Sequence, residues 1–362
     1  MIPHLDLKRQ NTPYEQELTA AAARVVASGW FILGKELEQF EQSWSRYCGT
    51  RFAIGTGNGL DAIALIFKAL DFPKGSEVIV PAHTFVASLL GVRQAGLVPV
   101  LAEPDPATYN LDASRLEALI TPRTRAILPV HLYGKCCDMD AIRTVAGKYG
   151  LVIVEDAAQA HGATWNGRPA GSLGHVSAFS FYPAKNLGAL GDAGAVVTDD
   201  EALARKIRLL RNYGSEQKYY NELSGINSRL DEMQAALLSV KLNYLDEENR
   251  VRRQMARRYL SGMHNPSVRL PDGSTCDEDA WHLFVVRVRD RDSFRAFLLE
   301  RNIQTAVHYP VAPHHQQAFP EWRELSLPIT EQLHREVVSL PLFPGLTDEE
   351  QQRVIDAVNQ YA

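Results

Sequence analysis

The chain has 362 residues, 45% hydrophobic and 22% charged, with a formal net charge of -5; these proportions fit a globular protein of two or three domains with a large core. The acidic balance leaves no basic footprint for nucleic acid or an anionic membrane, and no apolar run is long enough to cross a bilayer. Four cysteines without metal or Cys-x-x-Cys spacing (Cys48, Cys136, Cys137, Cys276), and an N-terminus without a leader pattern, read as a cytoplasmic protein with free thiols.

Asn11-Thr12-Pro13 is a helix start, and that helix runs to Ser28 with Gly29 as its stop. The apolar loop Trp30-Phe31-Ile32-Leu33-Gly34 leads into an amphipathic helix from Lys35 to Cys48. Phe52 to Thr56 reads as a strand, and Gly57-Asn58-Gly59-Leu60 opens a helix to Leu70. A Gly-rich turn into a helix N-terminus offers free N–H groups to an anion. It matches neither the dinucleotide nor the nucleoside triphosphate pattern. Glu77 to Pro81 is the next strand, and Phe85 just beyond it reads, by itself, as a core aromatic. Strands at Val98–Leu101 and Ala126–Pro129 then alternate with helices at Ala113–Leu119 and Met139–Tyr149. That rhythm predicts a mostly parallel sheet with helices on both faces. His131 is a structural histidine within reach of a substrate.

Leu151-Val-Ile-Val reads as a parallel strand buried on both faces. It puts Asp156 at a carboxyl end, where open α/β sheets bind ligands. A second apolar run, Val176 to Phe181, leads through Tyr182-Pro183-Ala184 to Lys185. A lysine in an apolar, Gly-rich loop loses its proton readily, because burial disfavours the charged form. Its neutral amine can attack a carbonyl. Either residue alone has a bland reading, Asp156 as a helix cap and Lys185 as a solvated loop lysine. Together, in this order, they form the minimal pyridoxal phosphate pair: a Schiff-base lysine and a carboxylate for the pyridinium nitrogen.

Further on, Asp200 to Leu210 is helical, and a polar loop runs from Arg211 to Asn227. A long helix is predicted from Leu230 to about Arg258, its charged second half a solvated face. A strand at Leu283–Val288, a helix at Arg291–Arg301, a strand at Thr305–Tyr309 and a helix at Thr347–Tyr361 make a small α+β unit. The division expected is residues 1–245 and 246–362. The paired His314 and His315 raise the question of a metal, but no third ligand stands at a recognised spacing, so none is expected.

Three segments carry a resemblance: Glu155-Asp156-Ala-Ala-Gln159-Ala-His-Gly, Ser180-Phe-Tyr182-Pro-Ala-Lys185-Asn-Leu-Gly, and Gly225-Ile-Asn227-Ser-Arg-Leu-Asp-Glu232. The chain resembles the DegT/DnrJ/EryC1/StrS family, pyridoxal phosphate-dependent nucleotide-sugar aminotransferases of fold type I, from about Ile2 to its end. The resemblance implies a large domain with a mostly parallel seven-stranded sheet and a small α+β domain. It implies that Lys185 binds pyridoxal 5'-phosphate, Asp156 faces the ring nitrogen, Phe85 stacks on the ring and Gln159 lies at the ring hydroxyl. Asn58, Gly59, Leu60 and Ser180 would hold the phosphate. Asn227 would reach it from the partner of a homodimer with shared sites, and Trp30 to Gly34 would lie near that interface. Tyr182, His308, Tyr309 and His314 would face the sugar nucleotide. Relatives acting on 4-keto sugars carry His-Lys-x-x-x-x-Gly-Glu-Gly, whereas this chain has Lys185-Asn-Leu-Gly-Ala-Leu-Gly-Asp192. That resembles the branch aminating C3 of a dTDP-3-keto-6-deoxyhexose with L-glutamate as donor. A UDP-linked acceptor, sugar dehydration and a non-catalytic sensor are the alternatives; relatives that dehydrate carry His at the position of Lys185.

Overall fold

The computed structural model describes residues 1–217 and 219–362. Among the described residues twelve strands run in chain order: β1 (Phe52–Thr56), β2 (Glu77–Pro81), β3 (Val98–Ala102), β4 (Thr124–Ile127), β5 (Val152–Asp156), β6 (Thr164–Trp165), β7 (Arg168–Pro169), β8 (Val176–Ser180), β9 (Gly194–Thr198), β10 (Val268–Arg269), β11 (Phe284–Val288) and β12 (Val337–Leu340). The helices are α1 (Leu7–Asn11), α2 (Glu15–Ser28), α3 (Lys35–Cys48), α4 (Gly59–Leu70), α5 (Val86–Gln94), α6 (Met139–Tyr149), α7 (Glu201–Leu210), α8 (Glu232–Leu242), α9 (Leu245–Gly262), α10 (Arg291–Glu300), α11 (Pro328–Glu336) and α12 (Asp348–Asn359).

Seven strands form one sheet in the order β1-β9-β8-β5-β4-β2-β3. Only β9 runs against its neighbours β1 and β8; the other pairings are parallel. Successive strand residues point to opposite faces, and the two apolar clusters divide accordingly. Ile153 packs with Phe40 and Trp44 of α3 and Ile142 of α6, while Val154 packs with Leu65 of α4, Leu89 of α5 and Ile207 of α7. Helices on both faces explain why these strands read as continuous apolar runs. The carboxyl ends of β1, β2, β4, β5 and β8 emerge on one side, and antiparallel β9 enters from that same side.

A second sheet, β10-β11-β12, is antiparallel. It packs with α9, α10 and α12 in a separate cluster built on Tyr259, Phe284, Phe294 and Val354. Ile2 joins this cluster and bridges Ile303, so the N-terminus lies against the C-terminal part of the chain.

Four sequence expectations need correcting. The long helix from Leu230 breaks at Asn243-Tyr244 into α8 and α9. Ala113–Leu119 is two 3-10 turns, Ala113–Arg115 and Glu117–Leu119. The first long helix begins at Glu15, after a 3-10 turn at Thr12–Tyr14. Thr305–Tyr309 is not a strand; it makes a single bridge, Ala306 to Ser339, and the ladder partners of β11 are β10 and β12.

Candidate active site

Where the carboxyl ends of the large sheet meet the stretch His308-Tyr309, a cavity of about 370 Å³ opens. Asn58, Gly59, Leu60, Phe85, Asp156, Gln159, Ser180, Tyr182, Lys185, His308 and Tyr309 all line it. Residues scattered over some 250 positions of sequence therefore converge on one space.

Asp156, the last residue of β5, is buried. Its Oδ2 accepts from Ser88 Oγ at 2.7 Å and its Oδ1 from the Ala158 N–H at 3.2 Å. Burial pushes its pKa up, while these two donors and the nearby Lys185 pull it down. A carboxylate in this position is poised for a cation, because an opposite charge close by restores its ionised form. Glu155, one residue earlier, points to the other face. It accepts from the N–H groups of Gly171, Leu173 and Gly174, which makes it the organiser of the turn before β8.

Lys185 follows the carboxyl end of β8 in a turn closed by its own N–H, which donates to the Tyr182 carbonyl at 2.8 Å. Burial lowers its pKa to about 8, against the opposing pull of Asp156. Near neutral pH a usable fraction of the amine is therefore unprotonated. The loop is anchored by its next residue. Asn186 Nδ2 donates to Asn249 Oδ1 of α9 at 2.9 Å and to the Ala280 carbonyl at 2.7 Å, and its Oδ1 lies 3.1 Å from His282 Nδ1. Lys241 Nζ donates to the Gly188 carbonyl at 2.7 Å from α8.

The N-terminus of α4 forms another wall. Asn58 caps it, its Oδ1 accepting from the Asp61 N–H at 2.8 Å. The N–H groups of Gly59 and Leu60 belong to the first turn and have no intrahelical acceptor. Ser180, the last residue of β8, stands directly opposite: a Cβ added at Gly59 would come within 2.7 Å of Ser180 Cβ. Only glycine allows this approach. The result is a small cradle of N–H groups and a hydroxyl, suited to an anion.

Gln159 is clamped from both sides. Its Oε1 accepts from the Tyr133 N–H at 2.7 Å and its Nε2 donates to Tyr309 Oη at 3.1 Å. Tyr133 also donates its hydroxyl to the His308 carbonyl and lies 2.9 Å from His83 Nε2. Phe85, 50% exposed, sets its ring 5.2 Å from that of Tyr309. A half-exposed aromatic at a cavity wall is not a core residue, which corrects the reading of Phe85 taken by itself.

Two of the expected site residues do not line the cavity of this chain. His314 is 1% exposed, with Nε2 3.4 Å from Glu331 Oε1, and is absent from the lining. Asn227 lies outside the cavity of its own chain, exposed beside Asn212. His131 is structural: its Nδ1 accepts from the Cys137 N–H at 3.1 Å, and its Nε2 meets Glu155 at 2.9 Å. Sequence reading missed Ser88, Tyr133, Asp192 and His282. Ser88 reaches Asp156 across 68 positions. Asp192 lines the cavity because β9 enters from the same sheet edge.

The sequence profile of the DegT/DnrJ/EryC1/StrS aminotransferase family matches residues 13–359. The chain belongs to this family. It is 53% identical over 361 residues to the dTDP-3-amino-3,6-dideoxy-alpha-D-galactopyranose transaminase of Aneurinibacillus thermoaerophilus, covering 100% of this chain and 99% of that one. The structure of DesV from S. venezuelae in complex with a ketimine intermediate is similar at a TM-score of 0.96 and 50% identity, over 99% of this chain and 98% of that one. NtdA from Bacillus subtilis with bound cofactor PMP is similar at a TM-score of 0.93 and 36% identity, over 99% and 84%. As a member of this family the chain is an aminotransferase of fold type I, and its seven-stranded sheet with a smaller antiparallel one is that fold.

Proposed function

We propose that this aminotransferase moves the amino group of L-glutamate to the C3 keto group of a dTDP-3-keto-6-deoxyhexose, giving a dTDP-3-amino-3,6-dideoxyhexose. The observation that carries the reading is the meeting of Lys185, its pKa lowered to about 8, with buried Asp156 in one cavity. The identity with dTDP-3-amino-sugar transaminases supports the choice of sugar.

The residues fit pyridoxal 5'-phosphate. The Gly59–Ser180 cradle would take its phosphate, Asp156 its ring nitrogen, Gln159 the ring hydroxyl side and Phe85 one ring face. Bound there, the cofactor supplies an electrophilic carbonyl and an electron sink. The rest falls to the chain. Lys185 Nζ, once free, takes a proton from the donor carbon and later returns one to C3 of the sugar. Asp156 stays ionised and holds a proton on the ring nitrogen. Tyr309 and Gln159 keep each other oriented at the mouth. Tyr182 and His308 flank the space left for the sugar nucleotide. The donor's keto acid leaves before the keto sugar binds, so the kinetics are ping-pong.

We place the enzyme in the cytoplasm as a homodimer with shared sites, in which Asn227 reaches the partner's cofactor phosphate. The exposure of Trp30 and Phe31, at 62% and 52%, supports a covered face there. No helix among the described residues is long and apolar enough to cross a membrane. A panel of 3-keto and 4-keto sugars on dTDP and UDP, each with L-glutamate and read by product mass, tests the reading. Amination of the dTDP-linked 3-keto sugar is expected. Turnover confined to UDP-linked or 4-keto sugars would overturn the assignment of substrate, and no amination with any acceptor would favour a sensor.

A further inference from the structure

His314 and His315 lack a third partner at any recognised sequence spacing, and the fold supplies one. Both lie in a 3-10 turn, Pro313–His315, and Glu331 comes from the first turn of α11. One ligand atom from each of the three lies within 4.8 Å of the others. His314 Nε2 and Glu331 Oε1 are 3.4 Å apart. That is long for a hydrogen bond. It is the spacing of two ligands on one tetrahedral ion with bonds of about 2.0–2.1 Å.

The surroundings point the same way. His314 is 1% exposed, and the only hydrogen-bond contact of its Nε2 among the described residues is the long one to Glu331. A buried ring held this weakly calls for an account, and an ion is one of the ordinary ones. Glu331 is pre-positioned: Oε1 also accepts from the Leu327 N–H at 3.0 Å. Glu103, buried nearby and bonded to the N–H groups of Ile329 and Thr330, adds negative potential. Arg335, 4.0 Å from Glu331 Oε2, has a side chain 67% exposed and can turn into solvent.

We propose that His314, His315 and Glu331 form a site for a divalent transition-metal ion of the zinc class, with water as the fourth ligand. Two imidazoles and one carboxylate suit such an ion. The ion ties the Pro313–His315 turn to α11. The same helix already holds the cavity end of this segment, since the carbonyl of Tyr309 lies 2.7 Å from His334 Nδ1. The site is structural, stands outside the active cavity, and does not depend on the substrate assigned above.

The test uses untagged holoenzyme titrated with Zn²⁺ against a chromophoric chelator at about pH 7.5, a unit above the ordinary histidine pKa of about 6.5. One equivalent per chain is expected, and Co²⁺ should give the intense visible absorption of a tetrahedral site. Losing even an outer-shell partner of a metal costs about tenfold or more in affinity, so His315→Ala and Glu331→Gln should each cost at least that. Replacing the exposed His264 with alanine should cost nothing. Saturating Zn²⁺ should raise the melting temperature of the wild type but not of His315→Ala. His315 is exposed, so that variant should melt like wild type without metal. Absence of stoichiometric binding, or binding that survives both substitutions, would overturn the proposal.

Discussion

Asp156 and Lys185 pull each other's protons in opposite directions, and each is held by a partner that does no chemistry itself. Ser88 and the Ala158 N–H fix the carboxylate, and the Lys185 turn is fixed through Asn186. Replacing Lys185 with alanine should abolish multiple turnover while cofactor binding persists through phosphate and stacking contacts. Product formation over many cycles by that variant would contradict the role of the lysine. Asp156→Asn should keep the fold, because the amide can still accept from Ser88. It should slow turnover at least about a hundredfold, the worth of two pKa units at about 1.4 kcal/mol each. A near-normal rate would mean that another group charges the ring, and Glu155 is not available for it, being committed to three N–H donors. Both residues were legible in the sequence because strand ends mark sites in α/β sheets. Ser88 and Tyr133 were not. One acts across 68 positions; the other takes a left-handed backbone, φ 60°, that its residue type does not announce.

At the scale of elements, the lysine-bearing loop is clasped by α8, α9 and the segment before β11 through Asn186 and Lys241. Asn186→Ala would leave Asn249 and His282 without this partner in a buried setting. Loss of a buried hydrogen-bond partner costs about 1–3 kcal/mol, readable as a lower urea midpoint at unchanged slope. It should also lower kcat more than it raises KM, since the displaced group is the amine proposed to react rather than a binding surface. Unchanged stability and kcat would show that the clasp is dispensable. Apolar runs made the large sheet readable, and polar caps made its helices readable. The break between α8 and α9 was hidden because Asn243-Tyr244 contains neither proline nor glycine. The strand β12 was hidden because four residues following directly on α11 carry too short a period to read.

For the whole molecule, several buried or half-buried histidines are held neutral. Burial lowers His161 to about 3 and His4, His308 and His334 to about 4. The unfolded chain protonates them near 6.5, so between about pH 6.5 and 4 it binds more protons than the native state, and stability falls with pH. A fully buried ring such as His161 contributes about 1.4 kcal/mol per pH unit in that window. Melting midpoints should therefore drop steadily below about pH 6.5; a flat profile would contradict the burial of these rings. The proposed shared site is testable by mixing Lys185→Ala and Asn227→Ala chains, provided each is impaired alone. Random pairing makes about half the dimers mixed, each with one intact site, so recovery should approach about a quarter of wild type. No recovery would place Asn227 in its own subunit's chemistry.

The proposed reaction carries glutamate nitrogen to C3 of the sugar in the Lys185–Asp156 cavity. Its most direct test supplies L-glutamate labelled in the amino nitrogen together with a dTDP-3-keto-6-deoxyhexose, and locates the label by NMR. The label should appear on C3 with the wild type and nowhere with Lys185→Ala. Label on C4, no transfer by the wild type, or equal transfer by both proteins would contradict the account.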